Sequence, residues 1–294
     1  MNFRNLKLLL LSVALTSSYA SIAQDASADS VKKSPTPVKH IFEHSVVINN
    51  QTVEKPAKKA LDFIIQHRFG VLKNFTDLGG VYGPANIRLG LDYGVTKRLS
   101  VGVGATKNKH YYDLEWKYIL MNQMKDGGFP VSIAYYGDVA RSADSKDKFI
   151  NQDQAFKSQN KLTYFHELMF ARKVTSRVSL QLAGTYSHFN IIDSLVNEHN
   201  FFGASFVGKY RFSPQSSIQV EFDNPLNVSS IPKDLRPKPN LGLGFEVSTS
   251  GHQFQVFVCT ANGIINQEMR VYNLNDFTKR EVMIGFNITR QWGF

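Results

Sequence analysis

From Leu61 to the last residue the chain repeats one pattern about a dozen times: alternating apolar and polar residues, then a cluster of turn formers. A period of two puts successive side chains on opposite faces of a β-strand, so each stretch predicts a strand with one apolar and one polar face. The clearest lies over 111–121, where Tyr112, Leu114, Trp116, Tyr118 and Leu120 alternate with Asp113, Glu115 and Lys117. The remaining strands are expected over 61–69, 85–94, 99–106, 130–140, 161–170, 177–188, 201–212, 217–224, 240–248, 252–261 and 280–292. Alternation alone also describes a soluble β-sandwich.

Strand length and connection length separate the two. Most of these stretches approach the roughly 9–11 residues that a tilted strand needs to cross a bilayer. The connections over 95–98, 122–129, 173–176, 213–216 and 249–251 are short and turn-rich, whereas those over 70–84, 141–160, 189–200, 225–239 and 262–279 are longer. Short turns at one end and longer loops at the other are what an antiparallel transmembrane β-barrel with an even strand number shows. The connection over 107–110 is short where a long one is expected. The fold class predicted is therefore all-β, an antiparallel transmembrane barrel of about 12 strands.

Both ends of the chain agree. Arg4 and Lys7 precede the apolar run over 8–15 and the small-residue stretch ending Ser21-Ile22-Ala23, the layout of a secretory signal. The expected organisation is a signal over 1–23, a periplasmic linker with a possible short hairpin over 24–60, and the barrel over 61–294. In the linker, Ser34-Pro35-Thr36-Pro37 predicts an extended chain, and 46–53 predicts two short strands around an Asn49-Asn50 turn. At the other end Val282, Ile284, Phe286, Ile288, Trp292 and Phe294 share one face, interrupted by Arg290. A strand ending on a terminal Phe resembles the closing strand of bacterial outer-membrane barrels. That resemblance implies recognition of Phe286, Ile288, Trp292 and Phe294 by the barrel-assembly machinery, an outer-membrane location and lipid around the barrel. An even strand number puts both termini in the periplasm.

A further resemblance rests on Val47-Ile48-Asn49-Asn50-Gln51-Thr52-Val53-Glu54, on 61–70 with its His67-Arg68-Phe69-Gly70, and on Gly285-Phe286-Asn287-Ile288-Thr289-Arg290. With these the chain resembles an uncharacterised family of outer-membrane β-barrels common in the Bacteroidota. The resemblance implies a barrel and its location and supplies no substrate.

If the apolar faces meet lipid, the polar faces point inward. Asp62, Asp92, Asp113, Glu115, Asp138, Glu167, Glu221, Asp223 and Glu246 then line the lumen, against Arg68, Arg88, Lys117, Lys161, Lys209 and Arg211. The formal charge of +10 is thus carried mainly by the N-terminal segment and the turns, and the lumen is slightly acidic. A pore for polyanions would be lined by bases. Lys209 and Arg211 are expected near Glu221 and Asp223 across the turn at 213–216, with Glu246 one strand further, as a lumen charge network. Inward-facing Gly242 and Gly244 leave room beside it.

No enzyme is expected. No His-x-Ser pair like that of outer-membrane phospholipase A occurs, and Ser187 and His188, being adjacent, face opposite ways. His166 is expected to hydrogen-bond Tyr135 near Gly184. No His or carboxylate cluster has metal-ligand spacing, the single Cys259 allows no internal disulfide, and no nucleic-acid motif is present. Neither a cofactor nor a metal is expected. The functional reading is a narrow channel for small polar solutes or a structural barrel with a charge-paired lumen. The alternatives are an interaction protein that docks a secretion, redox or surface-assembly partner through its loops or tail, and a lipid-facing enzyme. The sequence names no functional partner.

Overall fold

The computed structural model describes residues 36–72, 80–125, 127–148, 156–190 and 198–294; the expected signal lies outside them. Two short strands, β1 (Val46–Val47) and β2 (Asn50–Gln51), come first. Twelve long strands follow: β3 (Ala60–Val71), β4 (Asn86–Gly94), β5 (Leu99–Thr106), β6 (Tyr111–Met121), β7 (Ser132–Ser142) and β8 (Leu162–Lys173) form the first half. The second half is β9 (Val178–Phe189), β10 (Asn200–Arg211), β11 (Ser216–Pro225), β12 (Asn240–Ser248), β13 (His252–Cys259) and β14 (Met283–Gly293). Each pairs antiparallel with its neighbour, and β14 pairs with β3 to close the barrel. All the expected strands are present, their ends displaced by a few residues.

Closure leaves no strand edge to satisfy, so the only surfaces left are the outer wall and the lumen. The outer wall is apolar: Leu89, Leu91, Val103, Leu114, Leu182, Leu243 and Val256 are all exposed. Contiguous apolar surface on this scale is what lipid, not water, covers. No described helix is long and apolar enough to cross a membrane, so the crossing elements are the strands.

The lumen is filled. Residues 36–59 enter at the short-turn end, where Val38 N donates to Gln123 O at 2.7 Å and Lys125 N to Thr36 O at 2.9 Å. They make the β1–β2 hairpin inside the barrel and leave past the β4–β5 turn, where Lys55 Nζ donates to Thr96 O and Lys59 N to Gly94 O, each at 2.8 Å. From the long-loop end the β13–β14 connection inserts a short helix, α1 (Asn266–Val271), all of whose residues are buried. Ile41, Phe42, Val47 and Ile48 of the entering segment pack with Ala134, Phe165, Met169, Val207 and Phe257 of the wall.

Candidate functional site

The hairpin is short because it is an insert, not an independently stable unit. Val46 pairs with Gln51 and Val47 with Asn50, so the turn is Ile48-Asn49, one residue earlier than the Asn49-Asn50 turn expected from Asn's tolerance of positive φ. Ile48 itself takes φ 54°. That conformation is costly for a β-branched side chain and persists only where surroundings fix it. Here they do. Ile48 O accepts from Arg68 Nη2 at 2.9 Å and Asn287 Nδ2 at 2.8 Å, and its N–H donates to Gln255 Oε1 at 3.3 Å. Its side chain lies over Gly244, where a Cβ would come within 3.2 Å of Ile48 Cδ1.

Carboxylates of the wall hold the hairpin tip. Glu221 Oε2 accepts from Asn49 N at 2.9 Å and Asn50 Nδ2 at 2.9 Å, while its Oε1 accepts from Asn49 Nδ2 at 2.5 Å and Asn240 Nδ2 at 2.8 Å. Asp223 Oδ2 accepts from Asn50 Nδ2 at 3.1 Å and Asn240 Nδ2 at 2.9 Å. Arg68 on β3 reaches Asn49 Oδ1 from another part of the wall with Nε at 3.0 Å and Nη2 at 2.8 Å. The rest of the hairpin backbone is satisfied the same way. Gln181 bonds Gln51 O and Val53 N, Gln255 bonds Val46 O, and Lys117 Nζ bonds Ser45 O and Glu54 O. Gly242 makes room, because a Cβ there would meet Glu221 Cγ at 2.7 Å.

The five residues expected to form one lumen network divide into three groups. Lys209 pairs with Glu246 at 2.6 Å, and Glu246 also accepts from Ser217 at 3.1 Å and from the amides of Gln219, Gln253 and Gln255. Arg211 pairs with Glu43 of the entering segment, which is also 3.5 Å from Lys209. Glu221 and Asp223 turn to the hairpin and have no ion pair with Lys209 or Arg211. The register explains the separation: Lys209 faces Gln219 and Arg211 faces Ser217, while Glu221 and Asp223 lie opposite Val207 and Ser205, further up the barrel. Of the proposed assembly residues, Phe286 and Ile288 lie on the outward face of β14, Trp292 is exposed, and Phe294 follows the strand with its N–H on Lys59 O at 3.0 Å.

The helix α1 was not expected. Gln267 Nε2 donates to Asp138 Oδ1 at 2.7 Å and Thr163 Oγ1 at 3.1 Å. Arg270 Nη2 donates to Asn50 Oδ1 at 2.6 Å and Asp223 Oδ1 at 3.2 Å, so the insert from one end touches the hairpin from the other. Glu268 accepts from Asn108 Nδ2 at 2.6 Å near Lys109, and burial pushes its carboxyl up to about 7 against the pull of that lysine. A carboxyl raised on docking stabilises the docked helix fully below its ordinary value near 4.5, and that contribution is lost as pH rises through about 7. A cysteine at Met269, with Cys259→Ser, is therefore expected to alkylate progressively faster from acid to neutral pH relative to the same protein carrying Glu268→Gln. Equal pH profiles for the two would refute this.

Other chemistry is occupied. Asp113, Glu115 and Asp138 bring carboxylate oxygens within 4.8 Å of one another, a cluster that the two-residue spacing of Asp113 and Glu115 begins and the β6–β7 register, setting Asp138 opposite Glu115, completes. Arg88 bonds Asp113 and lies 3.2 Å from Glu115, Tyr136 donates to Glu115 at 2.6 Å, and Gln267 donates to Asp138. His166 Nδ1 meets Tyr135 Oη at 2.6 Å, as expected, although it lies opposite Tyr186 and Gly137, not Gly184. Ser187 is buried in the lumen while His188 faces outward and bonds Asn190 and Asn200.

The model of the family described as membrane bound beta barrel domain (DUF5777) matches residues 42–292. The chain belongs to this family. The match begins at Phe42, inside the lumen segment, so the family's domain takes in the hairpin as well as the wall. Its membrane-bound character agrees with the apolar exterior. Among curated proteins no match is found. Among solved structures, a KdgM porin is 11% identical with TM-score 0.45, covering 80% of this chain and 99% of that one. A NanC porin is 10% identical with TM-score 0.47, covering 80% and 100%, and LpxR from Salmonella typhimurium is 11% identical with TM-score 0.39 over the same shares. Such values carry no information about solute or chemistry.

Proposed function

We propose that the protein is an outer-membrane barrel that its own hairpin holds closed, that it passes small polar solutes when the hairpin leaves, and that both chain ends are periplasmic. The observation that carries this reading is the nature of the seal. Charged groups that would face water in an open pore are buried: Arg68 and Glu221 are 0% exposed and Lys117 is 2% exposed. Among the described residues small cavities lie beside Arg270 and beside Lys117, each of about 10 Å³ and so with room for about one water.

Hydrogen bonds from side chains, many of them charged, hold the hairpin tip, and water can replace those bonds at little net cost. The apolar contacts of Ile41, Phe42, Val47 and Ile48 resist opening in proportion to their area, and the polar tip adds comparatively little to that resistance. A barrel that served only as a static structure would be at least as stable with an apolar interior, since burying charges carries a desolvation penalty. The wall also buries more carboxylates than cations: Asp62, Asp92, Asp138, Glu167, Glu221 and Asp223 have no ion pair to a cation of the wall strands among the described residues. An opened lumen would therefore favour cations.

In planar bilayers the full chain is expected to stay silent, whereas a variant lacking 36–59 should carry steady, cation-preferring currents. If that variant migrates as a folded, heat-modifiable barrel and still passes no current, the channel reading fails.

A further inference from the structure

Arg270 does not belong to the barrel wall, yet the wall and hairpin surround its guanidinium as a ligand would be surrounded. Asn50 Oδ1 at 2.6 Å, Asp223 Oδ1 at 3.2 Å and Glu167 Oε1 at 3.6 Å converge on Nη2, and the guanidinium carbon stands 4.9 Å from the centre of the Phe165 ring. Two carboxylates, a carbonyl oxygen and an aromatic face are the elements that recognise an organic cation. The other terminal nitrogen, Nη1, bonds within α1 among the described residues, to Asn266 O at 3.3 Å and Asn266 Oδ1 at 2.9 Å.

Three features separate the site from the residue that fills it. Glu167 is 1% exposed, and its Oε2 has no hydrogen-bond partner among the described residues, so the site holds more anionic capacity than Arg270 uses. Next to the guanidinium lies a small cavity where Asp223, Asn240, Thr185 and Ser187 continue the polar groups beyond Arg270, with Phe201, Met269 and Lys238 also lining it. Finally, Glu167 and Asp223 are set by strand register, on β8 and β11, whereas Arg270 is delivered by a six-residue helix within a long connection.

We infer that Glu167, Asp223, Asn50 and Phe165 form a binding site for a small organic cation carrying a guanidinium or amine, and that Arg270 fills it as a tethered stand-in. This rests on the closed-channel reading for its use in transport, but the binding itself does not. A solute arriving from the long-loop end competes with Arg270 and lifts α1. A tethered group competes at a millimolar effective concentration, so a free cation displaces it only above that range.

The probe is methylguanidinium chloride, with sodium chloride at equal ionic strength and uncharged methylurea as controls. By calorimetry, folded Arg270→Ala protein is expected to bind methylguanidinium with a millimolar Kd, and Arg270→Ala combined with Asp223→Asn should lose that binding at least tenfold. In a protein that keeps Arg270 and carries Met269→Cys and Cys259→Ser, methylguanidinium at about 100 mM should speed alkylation of the new cysteine several-fold, and the controls should not. Absence of binding to folded Arg270→Ala, or binding indifferent to Asp223→Asn, overturns the proposal. If Arg270→Ala does not fold, the alkylation experiment decides, and an unchanged rate overturns it. Conductance enters neither readout, so a barrel that never conducts could still bind the cation.

Discussion

Replacing Glu221 by alanine is expected to release the hairpin. With Ser45→Cys as reporter in a Cys259→Ser background, maleimide labelling should accelerate by about two to three orders of magnitude, each factor of ten corresponding to about 1.4 kcal/mol of lost docking. The size follows from what the carboxylate does. Glu221 alone accepts from Asn49 N, Asn49 Nδ2, Asn50 Nδ2 and Asn240 Nδ2, and it is fully buried. Without it Asn49 N loses its partner in the barrel interior, and a buried donor left unpaired costs about 1–3 kcal/mol by itself. Glu221→Gln keeps the shape but turns an amide toward donors, so its rate should fall between parent and alanine. Ser45 suits the reporter because it is 3% exposed and sits at the base of the hairpin, away from the site probed. A labelling rate unchanged by Glu221→Ala would mean that the apolar contacts of Phe42, Val47 and Ile48 hold the hairpin unaided.

The wall was legible in the sequence because a barrel imposes two local rules. Strands buried on one side and bathed in lipid on the other must alternate, so the β6 pattern from Tyr111 to Met121 and the β12 pattern from Asn240 to Ser248 carried their own boundaries. The facing of the strand carboxylates followed from the same parity, whereas Lys161, expected to line the lumen, precedes β8 and bonds Asp144 O. Asp113, Glu115, Asp138, Glu167, Glu221, Asp223 and Glu246 are all buried in the lumen, as the alternation requires. Even the His166–Tyr135 hydrogen bond could be anticipated, since both lie outward on adjacent strands.

What fills the barrel was not legible, for a physical reason. Pairing partners inside the lumen are chosen by register and by the third dimension, which alternation does not encode. The register sets Glu221 opposite Val207 and Asp223 opposite Ser205, away from Lys209 and still further from Arg211, and so sends both carboxylates to the hairpin. The hairpin's turn falls at Ile48, a residue that local preference excludes from positive φ, because Arg68, Asn287 and Gln255 outweigh that preference. The helix α1 spans too few residues to show a helical period and reads as loop. One signal was available: Asn266, Gln267, Glu268 and Arg270 make an unusually dense run of long polar side chains, more than an exposed loop needs.

Glu246 and Lys209 give the second large effect, on the barrel itself. Their pair, at 2.6 Å, is almost fully buried, and among the described residues Glu43, at 3.5 Å, is the other carboxylate within ion-pair distance of Lys209. Glu246→Ala should lower the stability of the folded barrel by about 3 kcal/mol, read as a shift in the urea midpoint at constant m-value, because it leaves a buried ammonium with only the longer contact to Glu43. The companion variant separates the two parts of that loss. Adding Lys209→Met to Glu246→Ala removes the stranded charge and should restore about half the stability, not all of it. The amides of Gln219 and Gln253 would still lack the acceptor that Glu246 provides. Full recovery would show that the ion pair dominates and the glutamine ladder contributes nothing, whereas no recovery would place the whole effect in the ladder. Either extreme would contradict the division of labour that the geometry indicates, in which one carboxylate neutralises a lysine of β10 and organises three glutamines on β11 and β13 at the level of the hairpin's base.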